Sequence, residues 1–198
     1  MNPDAVLIAL KLRGFASLAT LETMIGESVA GTVATLQAEG LVSEAKLGLR
    51  LTPGGQNAAV ASWRAASDRI DAVAIAALYA DFHAPNTAFK VIISDWQLRG
   101  GSINDHRDAV YDATVLARLA AIDREIGTII ARAAGLEPRL ARYASRLATA
   151  LAAIDAGNTR FVAAPLIDSY HTVWFELHEE LIRLAGLSRA SEAAEGRA

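Results

Sequence analysis

GESVAGTVATLQAEGLVSEAKLGLRLTPGG, residues 26–55, decides how the rest of the chain is read. Val29, Val33 and Leu36 recur at helical steps, which predicts an amphipathic helix over about Glu27–Glu39 that Gly40 ends. Leu41-Val42 then starts a strand. Leu47, Leu49 and Leu51 alternate with Gly48 and Arg50, a period of two that belongs to a strand. Thr52-Pro53-Gly54-Gly55 is the closing turn.

Working outward from this stretch, residues 3–14 (PDAVLIALKLRG) predict a first helix, with Pro3 and Asp4 in its first turn and Gly14 as its stop. Ser17–Ile25 predicts a short second helix capped by Ser17, with Leu18, Leu21 and Ile25 inward. From Gln56 onwards the patterns are helical: about Gln56–Tyr79 with Val60, Trp63, Ile70, Val73 and Ala77 inward, then Thr87–Leu98. A loop follows at Arg99-Gly100-Gly101-Ser102. Asp105–Ala134 predicts a long helix with Val110, Ala113, Leu116, Ala117, Ala120 and Asp123 along one side, extended by Ile126, Ile129 and Ile130. Further helices are expected from Pro138 to about Ala156 and from about Pro165 to Leu184. The expected organisation is a three-helix unit with a β-hairpin over residues 1–56, an all-helical region over 57–187 and a flexible polar tail over 188–198. The fold class is mainly α.

The N-terminal order of helix, helix, turn, helix, then EGLV, a short basic hairpin and LTPGG resembles the winged helix-turn-helix domains of MarR-like bacterial regulators over roughly residues 4–60. That resemblance implies a transcription regulator that binds double-stranded DNA as a homodimer. The third helix would approach the major groove through Ser28, Thr32 and Thr35, with Lys46 and Arg50 of the wing on phosphate or in the minor groove. The residues themselves qualify this. Base readout favours Arg, Lys, Asn or Gln, yet the outward face offers Glu27, Gly31, Ala34, Thr35 and Ala38. Residues 1–60 hold four basic side chains (Lys11, Arg13, Lys46, Arg50) against five acidic ones (Asp4, Glu22, Glu27, Glu39, Glu44). A face of small residues also suits close docking against another protein.

A second resemblance covers residues 78–187. The segments YADFHAPNTAFK, SDWQLRGG, DAVYDATVLARL and PLIDSYHTVWFELHEELIRLAGL look like a helical region of phosphoenolpyruvate-utilising, pyruvate phosphate dikinase-like proteins. It implies an accessory or regulatory unit, because the phosphohistidine machinery of those proteins has no counterpart here. The alternative reading is therefore a non-catalytic protein-interaction module.

Within LIDSYHTVWFELHEELIRLA (166–185), Asp168, His171 and His178 are candidate ligand-binding residues, joined by His83. The two histidines of the helix stand about 10 Å apart along its axis, too far to chelate one metal unaided, so no metal is expected. The aromatic residues Tyr79, Trp96, Tyr170, Trp174 and Phe175 are expected in the core. Asp95, Arg99, Asp108, Asp112 and Arg118 are expected as ion pairs at helix junctions or around a small-molecule pocket.

No phosphate loop, nucleophile elbow or zinc-protease motif is present, so no catalysis and no cofactor are expected. Hydrophobic residues at 53% with charged residues at 21% argue against general disorder. The absence of cysteine removes disulfides and thiolate metal sites. The net charge of −3 lacks the basic excess of a sequence-independent nucleic-acid binder. No run approaches the ~20 apolar residues of a membrane span, and no secretory signal is read. A cytoplasmic protein is the expectation.

Overall fold

The structure, a computed structural model, describes residues 2–196. It is mainly helical. Three helices come first: α1 (Pro3–Arg13), α2 (Leu18–Ile25) and α3 (Ala30–Ala38). Asn2 caps α1 by accepting from the Asp4 amide at 3.0 Å, and Ser17 caps α2 by accepting from the Thr20 amide at 3.1 Å. The third helix begins later than its periodicity suggests, at Ala30 and not Glu27. The cause is Glu22, whose carboxylate accepts from the Ser28 hydroxyl and the Val29 amide and so holds residues 28–29 as a turn.

Strands β1 (Val42–Ala45) and β2 (Gly48–Leu51) form an antiparallel hairpin in the register Val42↔Leu51 to Ala45↔Gly48, closed by Lys46-Leu47. Leu49 and Leu51 point into the core, whereas Leu47 sits on the turn and is 65% exposed, so the alternation stops one residue short of the tip. Ala16 adds a single bridge to the sheet, exchanging hydrogen bonds with Leu49 of 3.0 and 2.8 Å. Gly48 is required there: its φ is +120°, and a Cβ would lie 2.7 Å from the Ala16 carbonyl oxygen.

Thr52-Pro53-Gly54-Gly55 does not close the unit as a turn. It opens α4 (Pro53–Ser67), with Thr52 as the cap and Pro53 at the first position. The single helix expected over 56–79 is therefore two, α4 and α5 (Ala72–Gln97), separated where Asp71 caps α5 through the Val73 and Ala74 amides. The break expected before Thr87 is absent. Pro85 lies inside α5 and is buried, and a helix tolerates one missing donor when packing holds the ring.

A two-residue glycine turn, with φ +57° and +82° at Gly100 and Gly101, joins β3 (Leu98–Arg99) to β4 (Ser102–Ile103) where a loop was expected. Next come α6 (Ala109–Leu136), a 3₁₀ turn (Pro138–Ala141), α7 (Arg142–Asp155), the short α8 (Arg160–Ala163), α9 (Tyr170–Leu184) and α10 (Arg189–Ala194). The expected flexible tail is thus partly a docked helix. Ser188 caps α10, and Glu192 is buried with the Tyr79 hydroxyl donating to it at 2.7 Å. The last two residues of that stretch lie outside the described residues.

The apolar core divides into two clusters. One gathers Val6, Leu10, Leu21, Met24, Val29, Val33, Leu36, Val42, Leu49 and Leu51. We call this unit the head. Val29, Val33 and Leu36 are 0%, 5% and 1% exposed, so the inward side read from their spacing is the inward side observed. The other cluster, in the body, packs α5, α6, α7 and α9 around Phe82, Phe89, Leu119, Ile126, Tyr143, Leu147, Tyr170, Trp174 and Leu181. Three expectations about phase fail here. Val60, Val73 and Ala77 face outward, as do Val110, Ala113 and Ala117, and Phe175 is 45% exposed. The α6 stripe runs instead through Val115, Leu119, Ile122, Ile126, Ile129 and Ala133. Alanine occupies both faces of these helices, so periodicity leaves their rotation open. Among the described residues no helix is long and apolar enough to cross a membrane.

Candidate functional site

On the head, Ala30, Gly31, Ala34, Thr35 and Ala38 of α3 are exposed. Thr35 spends its hydroxyl on the Gly31 carbonyl of its own helix at 3.1 Å, and Ser28 spends its hydroxyl on Glu22 at 3.0 Å. Thr32 is half-buried. Beside α3 runs a groove of about 370 Å³, lined by Ala30, Val33 and Gln37 on one side and by Glu44, Ala45, Gly48 and Leu49 of the hairpin on the other. Lys46 at the hairpin turn and Arg50 on β2 are exposed, and neither takes part in an ion pair among the described residues. The other two head cations point elsewhere. Lys11 donates to Gln56, and Arg13 turns into the body.

Arg13 leads into a largely buried cluster of charge. Its Nε donates to Glu176 at 2.6 Å and its Nη2 to Asp168 at 2.5 Å. Arg146 of α7 meets the same two carboxylates from the other side, Asp168 at 2.8 Å and Glu176 at 2.7 Å. Two guanidiniums and two carboxylates thus alternate in a ring, and each carboxylate bridges both arginines. Burial alone would raise the Asp168 carboxyl, but the hydrogen bonds and charges of Arg146 and Arg13 outweigh it and hold it below the ordinary carboxylate range. Burial likewise opposes the charge on Arg146, yet Glu176 and Asp168 push its pKa upward.

One helical turn further along α9, Glu180 is fully buried. It accepts from Arg139 at 2.7 Å, Arg142 at 2.6 Å, the Tyr143 hydroxyl at 3.0 Å and, at 3.5 Å, the Trp63 indole of α4. Burial would raise this carboxyl as well. The charges of Arg142 and Arg139 and the donated hydrogen bonds hold it below its usual range.

The four residues read as a weak ligand set do not converge. Asp168 belongs to the ring. His171 lines a cleft of about 390 Å³ between head and body, with Leu12, Gln97, Ala163, Pro165 and Phe175, and burial lowers its pKa. His178 is buried near Tyr79, its Nε2 3.2 Å from the Tyr79 hydroxyl, and its pKa is lowered to about 4 by burial first and Arg189 second. His83 stands edge-on to Tyr79 with its Nε2 buried and without a hydrogen-bond partner. Among the described residues no three His, Asp or Glu side chains gather as a metal site. Asp95, Arg99, Asp108 and Arg118 form two ion pairs at the end of the α5–α6 hairpin, Arg99–Asp108 at 2.8 Å and Arg118–Asp95 at 2.7 Å. Both are well exposed and so worth little. Asp112 faces His106 at 3.0 Å.

Sequence reasoning passed over Arg13, Arg139, Arg142, Arg146, Glu176 and Glu180. A signal was there: Glu176 and Glu180 fall between Val173, Leu177 and Leu181 on one side of α9, and Arg139, Arg142 and Arg146 repeat at matching helical steps. Compared with protein-family models, curated proteins and solved structures, the chain matches none.

Proposed function

We propose that the head is a winged helix that binds double-stranded DNA, carried by the helical body as a cytoplasmic, homodimeric transcription regulator. One observation supports this above the others. The outward face of α3 stands bare beside a hairpin whose Lys46 and Arg50 are exposed and without ion-pair partners among the described residues. Small side chains let a helix seat deeply in a major groove, alanine can touch a thymine methyl, and hairpin cations reach phosphate. With two such cations per head, the logarithm of affinity should fall with the logarithm of salt at a slope of about −1.8 per head, or roughly −3.6 for a pair.

Fluorescence anisotropy of a labelled duplex across a salt series tests the reading. The double variant Lys46→Ala, Arg50→Ala should weaken binding to every sequence and flatten that slope. Unchanged binding by the double variant removes the hairpin from the proposal, and no duplex binding by the parent chain removes DNA.

The second reading, docking of the same α3 face on a protein, is favoured by a different observation. Arg13 is consumed by the body, while Glu27, Glu39 and Glu44 are exposed on the head and would oppose phosphate. Thr35→Arg separates the two readings. It adds a cation that strengthens duplex binding, and it obstructs a close protein contact.

A further inference from the structure

The joint between head and body is hollow on both sides. On one side lies the cleft between Leu12 and Arg13 of the head and Pro165, His171 and Phe175 of the body. On the other, a narrower cavity of about 280 Å³ separates Ala5, Ile8 and Ile25 of the head from Arg69, Glu137 and Arg139. The two hydrophobic clusters stay separate, and Ile8 of α1 and Trp63 of α4 are buried outside both. Covalent continuity runs through α4, which gives Ala59 to the head cluster and Ala66 to the body cluster. The first cavity is lined in part by the ring of Arg13, Glu176, Arg146 and Asp168, through Arg13 and Glu176, and in this ring only Arg13 comes from the head.

We propose that the Arg13–Glu176–Arg146–Asp168 ring is a clasp that fixes the direction of the head, so that the angle of α3 to the body depends on this ionic contact between α1 and the body. Geometry suits a clasp. A planar guanidinium that bridges two carboxylates held by a second guanidinium allows one orientation of α1 against α9. The ring is also largely buried, with Asp168 at 17%, Arg13 at 10%, Arg146 at 4% and Glu176 at 1% side-chain exposure, so salt screens it less than a surface pair. This inference stands whichever partner the head binds.

The absence of cysteine makes the test direct, because two introduced thiols carry the only labels. Spin labels at Ala38→Cys on α3 and Ala148→Cys on α7, both exposed positions, report the head-to-body distance by double electron–electron resonance. The parent chain should give one narrow distribution. Arg13→Gln should widen it roughly twofold, as released hinges do, while circular dichroism retains the helical signal. Arg132→Gln, which breaks an exposed pair with Asp81 at residues that line neither cavity, should leave it narrow. A broad distribution in the parent chain overturns the clasp, and so does a folded Arg13→Gln variant as narrow as the parent. If Arg13→Gln does not fold, Arg13→Lys takes its place. Lysine keeps the charge but lacks the fork, and a width between the two is expected. A width unchanged in Arg13→Lys, or unfolding of both variants, also overturns the proposal, since a clasp must separate from the two cores it joins.

Discussion

Helices α3 and α9 use opposite strategies. The first turns Ala, Gly and Thr outward and keeps its aliphatic side chains in, so its exposed face carries almost no charge. The second buries Glu176 and Glu180 among apolar neighbours and neutralises them with four arginines from α1, α7 and the 3₁₀ turn before it. Charge on these two helices thus lies buried on α9 and is absent from the exposed face of α3. A buried ionic group is poor evidence of net stability, because desolvation consumes much of the attraction. It is better evidence of a defined arrangement, since a misplaced partner leaves a charge stranded.

The contrast can be broken most forcefully at α9. Glu180→Ala strands Arg142 beside an apolar core, leaves Arg139 only its pair with Glu137, and should cost about 3–5 kcal/mol in urea unfolding; a loss under 1 kcal/mol would show that water reaches the site. Gly55→Ala is the corresponding blow to the head. Its Cβ would lie 2.0 Å from the Leu41 carbonyl oxygen, and the overpacking should cost about 3 kcal/mol. Loss confined to head signals in a heteronuclear NMR spectrum would show that the two cores melt separately, and uniform loss would show one cooperative unit.

Acid sharpens the same comparison within the body. The folded pKa of His178 lies at about 4 against 6.5 for the free group, so the unfolded chain takes up the proton first. Its contribution is complete above pH 6.5 and declines as pH falls toward 4, by about 2–3 kcal/mol. His171, also lowered, acts in the same direction. Asp168 and Glu180 are depressed, so their contribution persists through that window and is lost only as pH falls below the ordinary carboxylate range. Thermal melts of His178→Gln should therefore show a weaker decline between pH 6.5 and 4 than the parent chain. The smallest effect belongs to α3. Thr35→Ala removes a hydroxyl already satisfied within its own helix and should change stability by less than about 0.5 kcal/mol; a larger change would mean that the face is not free.

Much of the head was legible because its signals are local and agree with one another. Ser17 caps, Gly14 and Gly26 stop helices, Val29, Val33 and Leu36 mark one side, and Leu49 and Leu51 alternate. The body was less legible for a physical reason. Alanine suits helix on any face, so its abundance predicted helices well and their rotation poorly, as Val73, Val110 and Ala117 show. The break expected between Tyr79 and Thr87 does not occur, because α5 runs on with Pro85 buried inside it.

By its own pattern the chain determined a mainly helical protein whose first fifty residues form three helices and a hairpin, since caps, glycine stops and side-chain period act within a few residues. Only the tertiary structure decided that Arg13 belongs to Glu176 and Asp168, more than 150 positions away, that His83, His171, His178 and Asp168 lie apart, and that the tail docks through Glu192. Charges choose partners by distance in space and by shared exclusion from water, and neither is written in the spacing of residues along the chain.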